Sequence, residues 1–179
     1  LQKNITKIFM DEDKLNRLPP DVKKQFLKLA LKLSEKKTKS KVHDDFMTFV
    51  KHVWPEFIEG KHHKEIAEKF NQIAKGEIKR LIINMPPRHT KSEFASFLLP
   101  SWMVGRKPDL KIIQTTHTTE LAIRFGRKAK TLMDSAEYKQ VFKTRLREDS
   151  QAAGKWETEQ GGEYYAAGVG SAITGRGAD

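Results

Sequence analysis

The spacing of apolar residues divides the chain into helical and strand-like stretches before any chemistry is considered. From Val22, apolar residues fall at Val22, Phe26, Leu29, Ala30 and Leu33, one face of a helix. Pro19-Pro20-Asp21 supplies its start. Lys23, Lys24, Lys28 and Lys32 fall mostly away from that face, and Glu35 to Lys41 reads as an exposed linker. A second helical stretch carries Phe46, Phe49, Val50 and Val53 on one side. It stops at Trp54-Pro55, because the residue before a proline disfavours helix. A third runs from about His62 to Ala74, with Ile66, Phe70, Ile73 and Ala74 inward and Gly76 as its end signal.

Beyond Gly76 the pattern changes to short apolar runs. Leu81 to Met85 has the length and composition of a buried strand. After the loop Pro86 to Thr90, the chain from Ser92 is apolar on nearly all sides: Phe94, Ala95, Phe97, Leu98, Leu99, Trp102, Met103. Such a helix is predicted to be buried against a sheet, with Pro100 kinking or splitting it. Gly105 to Asp109 is a turn and Leu110 to Thr115 a second strand, so the two strands are predicted to be parallel and near neighbours.

The next helix has Thr118 as its cap and Leu121, Phe125, Ala129 and Leu132 as its stripe. Residues 135–149 read as a short helix and a charged loop. Trp156 to Thr158 and Glu163 to Ala167 read as strands, with Gln160-Gly161-Gly162 turning between them. Glycines at 161, 162, 168, 170, 175 and 177 mark close backbone packing or a mobile loop near a site.

These elements define an α/β class. The composition shift near Lys41 divides residues 1–41, a basic helical region and linker, from residues 42–179. The 179 residues suffice for one domain with a real core. The net charge is +11, and residues 1–41 carry twelve Lys/Arg against five acids, so +7 of it lies there. A balance of this size favours polyanionic partners, nucleic acid first. The absence of cysteine excludes disulfides and thiolate metal sites. No apolar run approaches the roughly 20 residues that cross a bilayer, so no membrane partner is expected. The start at Leu1 rather than Met suggests a trimmed or partial product.

The candidate chemistry lies at Pro86-Pro87-Arg88-His89-Thr90-Lys91-Ser92. A strand, a loop, Lys-Ser and a helix form the layout of a phosphate-binding loop, in which backbone N–H groups face the anion. Lys91 would reach the β/γ-phosphates of a nucleotide, and the Ser92 hydroxyl would be a Mg²⁺ ligand. Met85 and Thr90 stand where that motif has glycines. A β-branched residue does not readily take φ > 0, so the loop is expected to differ in detail. A basic turn between a strand and a helix is the competing reading of the same residues. A zinc site from His52, His62 and His63 is not expected, for want of an acidic or thiol ligand at matching spacing.

PPRHTKS resembles the phosphate-binding loop of the large terminase subunits of tailed phages, many of which read PPRHGKS. Trp54-Pro55-Glu56-Phe57 with His62-His63 resembles the family's segment before the adenine pocket. Thr115 to Gly126 resembles its second strand and following helix. Gly168 to Asp179 resembles the run before its Walker B strand. Together these cover roughly residues 44–179, in the family's order.

The resemblance implies an ASCE/RecA-like P-loop NTPase with a parallel-sheet core, incomplete here and preceded by a helical region. It implies an ATPase using ATP and Mg²⁺ to drive double-stranded DNA into a procapsid. The partners implied are the capsid portal, the small terminase subunit and further copies of the chain in a ring, in the host cytoplasm. The nucleotide-binding set is then Pro87, Arg88, His89, Thr90, Lys91, Ser92 and Glu93. Lys91 is a catalytic candidate, with Arg88 acting in cis or Arg176 acting across a subunit boundary as the arginine finger. Trp54, Phe57 or a histidine would contact the adenine. None of Asp109, Asp134, Asp149 or Asp179 follows a four-residue apolar strand, so the Walker B acids and the nuclease domain are expected in a longer parent chain. Two alternatives stay open: a helicase-type P-loop ATPase, and a basic DNA-binding or assembly module that hydrolyses nothing.

Overall fold

A computed structural model of the chain describes residues 12–179. Residues 1–11, the start of the basic N-terminal region, lie outside the described residues. The chain divides into two compact units, residues 1–41 and 42–179. The first holds α1 (Glu12–Asn16) and most of α2 (Pro20–Asp44). Lys23 Nζ donates to Asn16 Oδ1 at 2.8 Å. The stretch from Glu35 to Lys41 is exposed, as expected, but it is helix rather than linker. It contains neither glycine nor proline, and its Lys and Glu are good helix formers. The predicted apolar face of α2 is only partly covered, with Leu29 58% exposed and Val22 and Leu33 exposed too.

The second unit starts at the end of α2 and is built on two short helices, α3 (Phe46–Val53) and α4 (Lys61–Ala74). Asp45 separates α2 from α3 by taking an extended conformation. Its Oδ2 accepts from the Thr48 amide at 2.7 Å and the Thr48 hydroxyl at 2.6 Å. Its Oδ1 accepts from Asn71 Nδ2 at 2.8 Å, and Asn71 Oδ1 accepts from the Phe46 amide at 2.8 Å. One carboxylate thus caps α3 and ties it to α4. Gly76, at φ +76°, closes α4, and its amide donates back to Ile73 O.

After the loop at 86–90, three pieces form a continuous helix: α5 (Lys91–Glu93), a π-helical turn (Phe94–Leu98) and α6 (Leu99–Arg106). The split expected at Pro100 takes this form. Proline has no N–H for the carbonyl one turn back and its ring crowds it, and a widened turn before it relieves both demands. The second residue of α6 is that proline. Phe46 lies at the centre of the core. Its ring meets Phe70 at 5.0 Å, Phe94 at 5.4 Å and Trp102 at 5.4 Å, all close to edge-on. Each such pair adds about 0.5–1.5 kcal/mol beyond area burial.

The sheet is mixed, in the order β1-β4-β3-β2, from β1 (Lys111–Thr116), β2 (Leu146–Ala152), β3 (Lys155–Thr158) and β4 (Glu163–Gly168). β1 and β4 are parallel; β3 runs antiparallel to both β4 and β2. A wholly parallel core is therefore not what forms here. The short turn between β3 and β4, with Gly161 at φ +90°, forces a hairpin. α7 (Thr119–Asp134) covers the sheet and α8 (Ala136–Val141) follows it. The inward stripe of α7 is Ala122, Phe125, Gly126, Ala129 and Met133. Leu121, expected inside, is exposed. Small residues win because α7 sits so close to the turn between β2 and β3 that a Cβ on Gly126 would lie 2.4 Å from Ala153 O.

The predicted strand Leu81–Met85 is not in the sheet. Its burial still alternates with period two: Leu81, Ile83 and Met85 are half-buried, while Ile82 is 85% exposed. The stretch is extended but unladdered. β1 pairs with β4 on one edge, and on Lys111 the remaining backbone groups meet Asp179. Lys111 N donates to Asp179 Oδ2 at 3.0 Å, and Asp179 N donates to Lys111 O at 3.1 Å.

Burial pushes the Asp45 carboxyl up, but the bonds from Thr48 and Asn71 outweigh it and hold the group below the usual carboxylate range. Asp45→Ala is expected to cost about 1–2 kcal/mol in urea unfolding at neutral pH. A depressed carboxylate stabilises above its unfolded pKa and loses that contribution as pH falls through the folded one. The difference between wild type and Asp45→Ala should therefore narrow on acidification below about pH 4.

Candidate functional site

The loop between the extended stretch and α5 is held in an unusual backbone conformation. Arg88 has φ +64° and Thr90 has φ +57°, both left-handed and neither a glycine. Such a conformation costs a side-chain-bearing residue roughly 1–3 kcal/mol. The expectation that Thr90 would avoid positive φ is thus overturned, and the surroundings give the reason. The Thr90 hydroxyl donates to His89 O at 2.7 Å and lies 2.6 Å from His63 Nε2. The Gly60 amide donates to His63 Nδ1 at 2.9 Å. With Nδ1 accepting, the proton of the neutral imidazole is on Nε2, which donates to Thr90 Oγ1.

Other bonds close the loop. His89 Nδ1 lies 2.8 Å from Pro87 O and donates to it. Lys91 Nζ reaches back over the loop to Met85 O at 3.3 Å. The first helical bond runs from Phe94 N to Thr90 O, so the amides of Lys91, Ser92 and Glu93 precede it. A left-handed residue followed by helical ones turns successive N–H groups to one side and makes an anion-binding concavity. Residues 86–93 line a depression of about 320 Å³. Glu93 adds no free negative charge there, because Lys128 Nζ bonds both its oxygens, at 2.6 and 2.9 Å.

The sequence-derived candidates Pro87, Arg88, His89, Thr90, Lys91, Ser92 and Glu93 therefore lie around one depression. Arg88 is exposed. Arg176 is elsewhere: its guanidinium bonds the Glu163 carboxylate and stacks on Tyr165 at 3.8 Å. Glu163 begins β4, so Arg176 sits where β1 and β4 start. The acids fall apart too. Asp149 pairs with Arg147, Asp134 with Lys139, and Asp179 with the Lys111 amide. Among the described residues no group of three His, Asp or Glu is arranged to hold a metal ion. The threonines after β1 are occupied locally. Thr118 caps α7 through Leu121 N, and Thr119 Oγ1 meets Ser171 Oγ at 3.0 Å.

The residue that sequence reasoning missed is His63. Sequence reasoning offered a histidine here only as an adenine contact; His63 is 6% exposed and serves the loop. Its ring packs between Phe57 at 4.8 Å and Phe94 at 5.2 Å. Gly60 and His63 stand at the cap and third positions of α4, the spacing of a reciprocal cap, and that spacing was the available signal. His62 stays close, 3.8 Å from the His63 ring, with its Nε2 buried and without a hydrogen-bond partner. Trp54 and Phe57, the other adenine candidates, lie against each other at 5.2 Å.

Compared with family models, with curated proteins and with solved structures, the chain matches none. The functional reading therefore rests on the site's geometry and on the motifs of the sequence. No helix among the described residues is long and apolar enough to cross a membrane.

Burial, with the neighbouring His62, pushes the His63 pKa below the ordinary histidine value; Glu59 opposes this and His89 reinforces it. A histidine depressed in the folded state stabilises fully above its unfolded pKa and loses that contribution as pH falls through the folded one. Stability by urea unfolding is expected to drop as pH falls below about 6.5. The drop should be smaller in His63→Ala, and an identical pH profile in both would contradict the assignment.

Proposed function

We propose that the loop at 86–93 binds the phosphates of a nucleotide, and that the chain is the nucleotide-binding part of an ATP-driven DNA-translocating motor. The observation that carries this reading is a left-handed Thr90 leading into a helix start, with Lys91 folded across the loop to Met85 O. Anions are favoured at such a helix start by its free amides and by the dipole. The amides of Lys91, Ser92 and Glu93 would face the phosphates, and Lys91 would exchange Met85 O for a phosphate oxygen. Exposed Arg88 would add charge in cis. Arg176, engaged by Glu163 and Tyr165, would have to leave both to act on a neighbouring copy.

The residues present fit a Mg-nucleotide in part. Ser92 offers one hydroxyl to the cation, and Mg²⁺ usually keeps several waters and takes its other ligands from the phosphates. When bound, the cation would neutralise phosphate charge. Orienting an attacking water takes a further polar group, typically a carboxylate, and Glu93, within the loop, is bound by Lys128. The resemblance of PPRHTKS and three further stretches to large terminase subunits supports a viral packaging motor, in which double-stranded DNA is the moved substrate. The excess of positive charge and the exposed lysines of α2 fit phosphate contacts that ignore base sequence. They equally favour a second reading, a basic DNA-binding module with no nucleotide chemistry.

Titration calorimetry with a non-hydrolysable Mg-ATP analogue separates the two. Lys91→Ala is expected to weaken binding about 10- to 100-fold, the worth of one charge-assisted hydrogen bond, with the fold intact and melting lowered only slightly by loss of the bond to Met85 O. DNA binding that persists while neither protein takes up nucleotide would leave the DNA-binding module as the better account.

A further inference from the structure

We infer that His63 is the positioning residue of the phosphate loop, holding Thr90 in the left-handed conformation that such loops otherwise reach with glycine. The inference rests on the nucleotide-binding reading for its purpose, but its geometry stands without it. Four groups form one directional chain. The Gly60 amide donates to His63 Nδ1 at 2.9 Å, and His63 Nε2–H faces Thr90 Oγ1 at 2.6 Å. The Thr90 hydroxyl then donates to His89 O at 2.7 Å. Every donor has one acceptor, and a single protonation state satisfies all three bonds. A second proton on His63 would turn Nδ1–H against the Gly60 N–H and break the chain at its origin.

The ring itself cannot swing away. Phe57 and Phe94 flank it, and position 60 needs a glycine beside it, since a Cβ there would lie 2.9 Å from His62 Cε1 and 3.4 Å from His63 Nδ1. The Thr90 hydroxyl is also diverted from its usual task. As the cap residue of α5 it makes no side-chain bond to the helix amides. It is tied instead to His63 and to His89 O, so the amides of Ser92 and Glu93 are left for an anion. A glycine at this position would supply the backbone shape without help. A threonine supplies it with His63, and the loop is thereby anchored to the first turn of α4.

The test is a double-mutant cycle on His63→Ala and Thr90→Gly, read by calorimetric affinity for a Mg-ATP analogue and by thermal unfolding. With Thr90 in place, His63→Ala should weaken affinity about tenfold. In the Thr90→Gly background the same change should cost no more than about twofold, because the backbone no longer needs holding. Thr90→Val removes the hydroxyl without opening a cavity around His63 and should lose affinity as His63→Ala does. In nitrogen-15 spectra His63 should show the Nε2–H tautomer in wild type, and Thr90→Val should shift its ring nitrogens. Equal effects of His63→Ala in both backgrounds would overturn the inference, as would Thr90→Val binding like wild type. If wild type binds no nucleotide, the phosphate reading fails, and the melting cycle decides the lock by itself. A smaller loss of melting temperature for His63→Ala in the Thr90→Gly background keeps the lock, and additivity removes it.

Discussion

Ring packing around Phe94 is the contact on which the rest of the second unit depends. Phe94 follows α5 directly and meets three rings: Phe46 of α3, Phe57 of the α3–α4 connection and His63 of α4. The loop before it is too polar and too short to have a core of its own. Its position is borrowed from this cluster, which also receives Trp102 and Phe70 through Phe46. The same cluster holds the His63 ring where its Nε2 reaches Thr90. Core packing and site geometry are therefore one set of contacts, and a change in either is felt by the other.

The loop itself balances stiffness against strain. Pro86 and Pro87 limit the chain before it, and Arg88 and Thr90 hold conformations that side chains disfavour. Bonds to His89 O, Pro87 O, Met85 O and His63 offset that cost. Charge is arranged to match. Lys91 lies over the loop, and the Glu93 carboxylate is drawn to Lys128 of α7. Without that pairing a carboxylate in the first turn of the helix would repel the anion that the amides attract.

Much of this was legible in the sequence. α3 and α4 appear in the apolar spacing of Phe46, Phe49, Val50, Ile66 and Phe70, and the α3 cap and the α4 stop are short-range signals. β1, β3 and β4 were also readable, as was the Thr118 cap. Other features depend on partners that no local pattern names. Leu81 to Met85 has a strand's composition but no ladder to join. Leu146 to Ala152 looked like a charged loop, yet it pairs antiparallel with β3 and keeps Arg147, Asp149 and Glu157 in an exposed ion-pair group. The lysine-rich stretch before Val42 lacks any breaker, so its helix was hidden by charge rather than by propensity. At the site, the seven loop residues were found from their order alone. Thr90 was misjudged because its conformation is set by His63, 27 positions earlier, and no local pattern showed that Arg176 meets Glu163 and Tyr165.

The π-helical turn at Phe94–Leu98 has a bearing on tolerance to length change. One residue of an α-helix advances about 100° around the axis, and a π turn absorbs one residue beyond the α count. The azimuth of Lys91 relative to Trp102 is therefore close to that of a regular helix one residue shorter. Removing one residue inside that turn would let a regular helix form with the loop still facing His63, whereas adding one would swing the loop about a quarter-turn away. Substitutions at Ala95 or Ser96 leave the azimuth alone. This stretch is thus lenient toward identity and toward the loss of one residue, and strict toward insertion.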